Sequence, residues 1–211
     1  QSRKTVESLA SSLQTEGYRA LPYHAGLTAE ARTENQERFI REDVEIIVAT
    51  IAFGMGIDKP NVRYVIHYDL PKSFEGYYQE TGRAGRYGLK SDCILFFSYG
   101  DKMKIEYFID QKEDENEKQI AYKQLRELVS YCEGNVCRRR LLLAYFGEIF
   151  DEPNCGSCDV CLEPKERFDG TIAAQKILSC VYRVGERFGV NYVVDVLLGS
   201  KNQKVLQNRH D

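Results

Sequence analysis

Apolar positions along this chain switch between two periods. Val6, Leu9, Ala10 and Leu13 recur at helical spacing between Ser2 and Glu16, and Gly17 can stop that helix. Tyr18 to Tyr23 reads as a short strand and His24-Ala25-Gly26-Leu27 as a turn. Thr28 is placed to cap a second helix running to about Arg41. Val44 to Ala49 is a continuous apolar run, the pattern of a strand buried on both faces, and Val62 to Tyr68 and Asp92 to Phe97 repeat it. Ser73 to about Thr81 predicts a helix between those last two. Alternating strand and helix predict an α/β layer fold with a mainly parallel sheet. A helix at the very start implies a preceding strand, so the sequence reads as a fragment.

From Tyr99 onward the pattern is helical and charged. Glu113-Asp114-Glu115 with Glu117 predicts a solvated helix start or turn. Ile120, Leu125, Leu128 and Val129 give the next helix a buried face, and another helix is expected from about Val136 to Phe146. Asp151 to Pro164 is rich in cysteine and turn residues. Ile172, Ile177, Cys180, Val181 and Val184 return to helical spacing. Tyr192 to Leu198 predicts a last short helix, ended by Gly199, and residues 200–211 are polar with no core pattern. No internal repeat or low-complexity tract interrupts the series.

Composition narrows the class. A chain of 211 residues with 43% hydrophobic content can build one large domain or two small ones. No apolar run reaches the length of a membrane span, and the first residues carry no secretory signal, so an intracellular protein without a membrane partner is expected. The net charge of −3 means that any nucleic-acid contact must use local basic patches. Seven cysteines, an odd number with a tight cluster, favour metal over disulfides.

Three stretches carry chemistry. In Gln79-Glu80-Thr81-Gly82-Arg83-Ala84-Gly85-Arg86, two arginines sit three apart, each preceded by glycine. Guanidinium is permanently charged and grips phosphate oxygens through parallel bonds, so the pair suits the γ-phosphate of a nucleotide, where charge develops during hydrolysis. In Cys155-Gly156-Ser157-Cys158-Asp159-Val160-Cys161, three thiolates at two-residue gaps can converge on one ion, and a fourth from a nearby helix completes a tetrahedron, the closed structural Zn2+ site. Cys137 is favoured as the fourth ligand because it heads Arg138-Arg139-Arg140; Cys132 competes for that place, and an iron–sulfur cluster is the other user of four cysteines. Cys93 and Cys180 read as buried small hydrophobes. In Ala49 to Pro60, a loop leaves the end of a buried strand, where open α/β sheets place ligands. Its glycines expose backbone N–H groups, Thr50 suits a nucleic-acid phosphate and Asp58 a ribose hydroxyl.

Together these residues resemble the RecQ family of DNA helicases over nearly the whole chain. Tyr23-His24-Ala25-Gly26-Leu27 looks like helicase motif IV, Ala49 to Pro60 like motif V and Gln79 to Arg86 like motif VI. The cysteine set with its arginine-led helix is similar to the family's zinc subdomain, and residues 170 onward resemble the opening of its winged helix. The resemblance implies a RecA-like lobe at residues 1–99, a helical zinc-binding subdomain at 100–168 and an incomplete winged helix at 169–211. It implies ATP-driven 3′ to 5′ movement on single-stranded DNA and unwinding of duplex DNA in repair and recombination. Arg86 would be the main arginine finger, with Arg83 its companion. Asp58, Gly56 and Gln79 would lie near the nucleotide, and His24, Thr50, Arg138 and Arg139 near DNA. His24 can equally serve packing at the strand end, and His67, inside a strand pattern, reads as structural.

The chain has no Gly-x-x-x-x-Gly-Lys-Ser/Thr loop, so ATP and Mg2+ would be held mainly by an N-terminal RecA-like lobe of the same protein, and this stretch alone should not hydrolyse ATP at a helicase-like rate. The expected compartment is the cytoplasm or nucleoid in a bacterium and the nucleus in a eukaryote. Tyr87 stands where the family usually has aspartate. A non-catalytic nucleic-acid-binding or scaffold module that keeps this shape is the alternative, and a translocase that remodels protein–DNA complexes without unwinding shares every motif.

Overall fold

The computed structural model describes residues 2–50, 53, 59–166 and 168–210. Packing divides the chain into two units, Gln1–Leu162 and Glu163–Asp211.

The first unit is built from two βαβ turns. Helix α1 (Arg3–Thr15) is capped by the Ser2 side chain, which accepts the Thr5 N–H. Its Val6 and Ala10 pack on Val48 of strand β2 (Ile46–Ala49). Strand β1 (Ala20–Tyr23) pairs parallel with β2, Ala20 opposite Ile46 and Tyr23 opposite Ala49. Helix α2 (Ala29–Ile40) makes the crossover, with Thr28 accepting the Ala31 N–H as the sequence predicts. Strand β3 (Tyr64–His67) pairs parallel with β4 (Asp92–Leu95), Tyr64 opposite Asp92 and His67 opposite Leu95. Helix α3 (Phe74–Thr81), capped by Ser73, crosses between them. The expected parallel α/β arrangement is therefore present, as two separate two-stranded sheets among the described residues.

Burial of β3 and β4 differs from the expectation of two covered faces. Successive side chains alternate across a strand. His67 and Leu95 turn toward Tyr77 of α3 and its core, while Tyr64, Ile66 and Ile94 on the other face are exposed. Cys93 is exposed rather than buried; its Sγ lies 3.9 Å from the Thr81 carbonyl. Cys180 is buried as expected.

The largest core of this unit joins Leu70, Phe74 and Tyr77 to Ile109 of helix α4 (Tyr99–Asp110) and to Leu125, Leu128, Val129 and Tyr131 of helix α5 (Glu115–Glu133). Asp114 caps α5 through the N–H groups of Asn116 and Glu117, and Glu115 and Glu117 lie in its first turn, where the helix dipole favours negative charge. The acidic run is thus a helix start. Helix α6 (Arg138–Tyr145) and the one-turn α7 (Asp159–Leu162) follow.

The second unit contains α8 (Thr171–Arg183), α9 (Val190–Leu197) and α10 (Gln203–Asn208) around Cys180, Val184, Tyr192, Val193 and Val205. Helix α10 corrects the sequence reading of an unpatterned tail. Asn202 caps it, and Val205 is fully buried. One valine among polar neighbours sets no period, so only packing reveals its place. No helix among the described residues is long and apolar enough to cross a membrane.

Candidate functional site

The arginine segment begins where α3 ends. Phe74 and Tyr77 anchor the helix in the core, and the Gly82 N–H closes it on the Tyr78 carbonyl. The chain then turns through Arg83 and Ala84 to Gly85, which adopts φ +69°. A Cβ there would lie 2.5 Å from Ser91 Oγ and 2.9 Å from the Leu89 carbonyl oxygen, so glycine is required twice over. The Gly85 N–H donates to the Val62 carbonyl at 3.1 Å, tying the turn to the start of β3. Arg86 opens a 3₁₀ turn to Gly88, and both Arg83 and Arg86 are partly exposed. Tyr87 is held at φ 58°, a left-handed conformation rare for a bulky side chain, with 79% of its surface exposed. Gln79 lies exposed on α3.

Other predicted residues are placed less simply. Thr50 follows β2, partly exposed, its N–H donating to the Tyr23 carbonyl at 3.1 Å. His24 is only 2% exposed: Nε2 lies 3.2 Å from Glu7 Oε1, and Nδ1 accepts the Gly26 N–H at 3.1 Å. With both ring nitrogens engaged, His24 holds the turn. Asp58 and Gly56 lie outside the described residues. Lys59, which the sequence reading passed over, is 7% exposed; its Nζ donates to the Ile40 carbonyl and to Glu42 at 3.4 Å each and lies over the Phe39 ring. Lysine is seldom buried, and nothing in its sequence context signals this.

The cysteine cluster closes as its spacing suggests. The Sγ atoms of Cys137, Cys155, Cys158 and Cys161 all lie within 4.8 Å of one another. Tetrahedral Zn–S bonds of about 2.3 Å set sulfurs roughly 3.8 Å apart, so the set fits one Zn2+ with a small contraction. Local chemistry shapes the loop: Asn154 Oδ1 accepts the Gly156 N–H, Asn154 Nδ2 donates to the Cys161 carbonyl, and Gly156 has φ +64°. Cys137 heads α6, and the Arg138 N–H points at Cys158 Sγ at 3.5 Å. Burial pushes the Cys155 thiol up, but hydrogen bonds from Ser157 and the backbone outweigh it and bring it down to about 6. At Cys161 a backbone hydrogen bond favours the thiolate, but burial and the neighbouring Cys158, Cys137 and Cys155 sulfurs push it up to about 12. Cys132 stays outside the set, and burial raises its thiol to about 11.

The arginine run divides. Arg138 is committed to the protein: its guanidinium bonds Asp159 and the carbonyls of Tyr131 and Cys132 and lies over the Tyr131 ring. Arg140 donates to the Glu152 carbonyl at 2.6 Å. Arg139 is exposed, with a long 3.5 Å contact to Ser157 Oγ.

The model of the helicase conserved C-terminal domain matches residues 1–88, that of RecQ zinc-binding residues 99–162 and that of the RQC domain residues 164–211. The chain belongs to the RecQ family. It is 47% identical to an ATP-dependent DNA helicase RecQ of Pasteurella multocida over 100% of its own length and 33% of that protein. It is 47% identical to the protein of that name in Bacillus subtilis, covering 98% of itself and 35% of the relative, and 44% identical to the RecQ-like DNA helicase BLM of Xenopus laevis, covering 97% and 17%. The chain thus spans about a third of the length of its bacterial relatives. Its cofactor is a structural Zn2+.

Proposed function

We propose that this chain is the C-terminal part of an ATP-dependent 3′ to 5′ DNA helicase acting in DNA repair and recombination. The observation that carries the reading is the turn at Gly85, which presents Arg83 and Arg86 three residues apart at the end of α3. Arg86 is the main finger and Arg83 its companion. ATP and Mg2+ are held mainly by the N-terminal RecA-like lobe of the same protein, with Asp58, Gly56 and Gln79 on this side of the nucleotide. ATP draws the two lobes together, the guanidinium groups meet the charge that develops on the transferred phosphoryl group, and hydrolysis releases the closure. Each cycle advances the grip on single-stranded DNA at the edge of the duplex.

Thr50 and Arg139 are assigned to the DNA backbone, while His24 and Arg138 shape the surfaces beside them. Residues 1–99 form the lobe, 100–168 the zinc subdomain and 169–211 the start of a winged helix. Cys137, Cys155, Cys158 and Cys161 hold the zinc, whose four thiolates leave no open position for water or substrate. Its part is to staple the segment Asp151 to Pro164 onto α6.

The test is single-stranded-DNA-stimulated ATP hydrolysis by the natural full-length protein, wild type beside Arg86→Ala, with zinc content measured in both. Loss of turnover by a factor of roughly 10³ with zinc and folding intact is expected of a finger. Unchanged turnover moves the finger elsewhere. No turnover in the wild type leaves a non-catalytic binding module. This chain by itself is expected to show no helicase-like hydrolysis.

A further inference from the structure

The arginine segment is fastened to β3 at two points. At its start, Glu80 Oε2 lies 2.7 Å from Nε2 of His67, the last residue of β3. At its end, the Gly85 N–H meets the Val62 carbonyl just ahead of the same strand. Arg83 lies between the two fastenings and Arg86 one residue beyond the second. The second fastening is backbone and needs only a glycine. The first depends on one side-chain pair.

His67 is built to stay where it is. Its side chain is 8% exposed, and its ring rests against Tyr77, 5.1 Å between centroids. Tyr77 is itself buried against Tyr131. The imidazole Nδ1 is buried and, among the described residues, has no hydrogen-bond partner. Such an orphan costs free energy, and an unpaired lone pair is better tolerated than an unpaired N–H. Nε2, facing a carboxylate that can only accept, is the donor of the bond to Glu80.

We infer that His67 is a positioning residue for the arginine pair: through Glu80 it holds the last turn of α3, and with it the backbone that carries Arg83 and Arg86, against β3. The inference rests on the proposed role of those arginines. The Arg83 N–H donates to the carbonyl of Glu80 itself, so a shift at Glu80 is passed directly into the segment. Small displacements matter there, because misplacing a catalytic group by about 1 Å can cost on the order of 10²-fold in rate. His67 is buried and acts through Glu80, so its removal should lower kcat and leave the KM for ATP unchanged.

The experiment uses the natural full-length protein and single-stranded-DNA-stimulated ATP hydrolysis. His67→Ala, Glu80→Ala, the double variant and His67→Gln are compared with wild type and Arg86→Ala, with melting and zinc content followed throughout. Each alanine variant should lose roughly tenfold in kcat with KM unchanged, and the double variant should lose no more than either single one. His67→Gln, which restores an N–H donor, should recover most of the loss. Should His67→Ala fail to fold, Glu80→Ala, which removes the acceptor, must still lower kcat alone. Additive losses, a rise in KM matching the fall in kcat, or no rescue by glutamine overturn the inference. Arg86→Ala inactive beside wild-type-like His67 variants sinks the clamp alone. A fully active Arg86→Ala removes the arginine reading, and the clamp falls with it.

Discussion

Arg138 and Asp159 form a two-pronged ion pair, with Nε 2.9 Å from Oδ1 and Nη2 2.9 Å from Oδ2. The same guanidinium reaches the carbonyls that end α5, and its own backbone N–H faces Cys158. One side chain thus joins α5, α6 and α7. Planar bidentate pairing is a property of arginine that lysine does not share.

That joint separates neighbouring arginines. Arg138→Ala should destabilise the first unit by about 2 kcal/mol, since it strands two carbonyls and a carboxylate, while changing DNA affinity little. Arg139→Ala should leave the melting temperature unchanged but weaken DNA binding and lower the slope of log K against log salt by roughly one phosphate contact. Denaturant titration and salt-dependent DNA binding of the two variants check the contrast.

Gly85 and Tyr87 should respond in opposite directions. Gly85→Ala forces a side chain into a positive φ and within 2.5 Å of Ser91 Oγ, so a loss of about 1–3 kcal/mol is expected together with reduced ATP turnover. Tyr87 has the same backbone sign but open solvent around it, so Tyr87→Asn or Tyr87→Gly should be neutral or stabilising by up to about 1 kcal/mol. Thermal unfolding of both variants tests this.

The Tyr145 hydroxyl donates to Glu75 Oε1 at 2.5 Å, tying α6 to α3. The bond lowers the Glu75 carboxyl below its usual range, and with some burial and the nearby Glu127 it raises the Tyr145 phenol to about 12. A lowered acid contributes stability above its unfolded pKa of about 4.3 and loses it as pH falls through the folded value. A raised phenol contributes fully below its unfolded pKa of about 10 and loses it as pH rises toward the folded value. The melting difference between wild type and Tyr145→Phe should therefore hold from about pH 5 to about pH 10 and fade at both ends, staying under about 1 kcal/mol because the pair reaches solvent.

Removing a cysteine tests the metal centre. Cys158→Ser should lower bound zinc and unfold the segment from Cys137 to Leu162, because metal binding and folding are linked at such sites. Cys132→Ser, outside the cluster, should keep the zinc. Metal analysis and chelator-dependent melting distinguish the two.

Val205→Ala should cost about 2 kcal/mol in the second unit, the price of a cavity at a fully buried site. Leu206→Ala, at an exposed neighbour, should cost much less. Denaturation of the two variants measures whether α10 belongs to the core.

Helices α1, α5 and α8 were legible from apolar spacing, and the start of α2 from Thr28, whose side chain hydrogen-bonds a few residues onward. Both are local properties, so the sequence by itself determined them. The same holds for the three cysteines from Cys155 to Cys161, whose ligand atoms a short turn brings together, and for the arginine pair. The sequence favoured Cys137 over Cys132 as the distant thiol, and tertiary structure decided it, because the two differ in where α5 ends and α6 begins, not in type. It decided that Arg138 faces Asp159 while Arg139 faces solvent, since successive helical residues point about 100° apart and the neighbour fixes which direction is buried. It placed both nitrogens of His24 against the protein, buried Lys59 and drew Val205 into the core. Period and spacing report what one segment can do alone; which face meets which depends on the path of every connection between them.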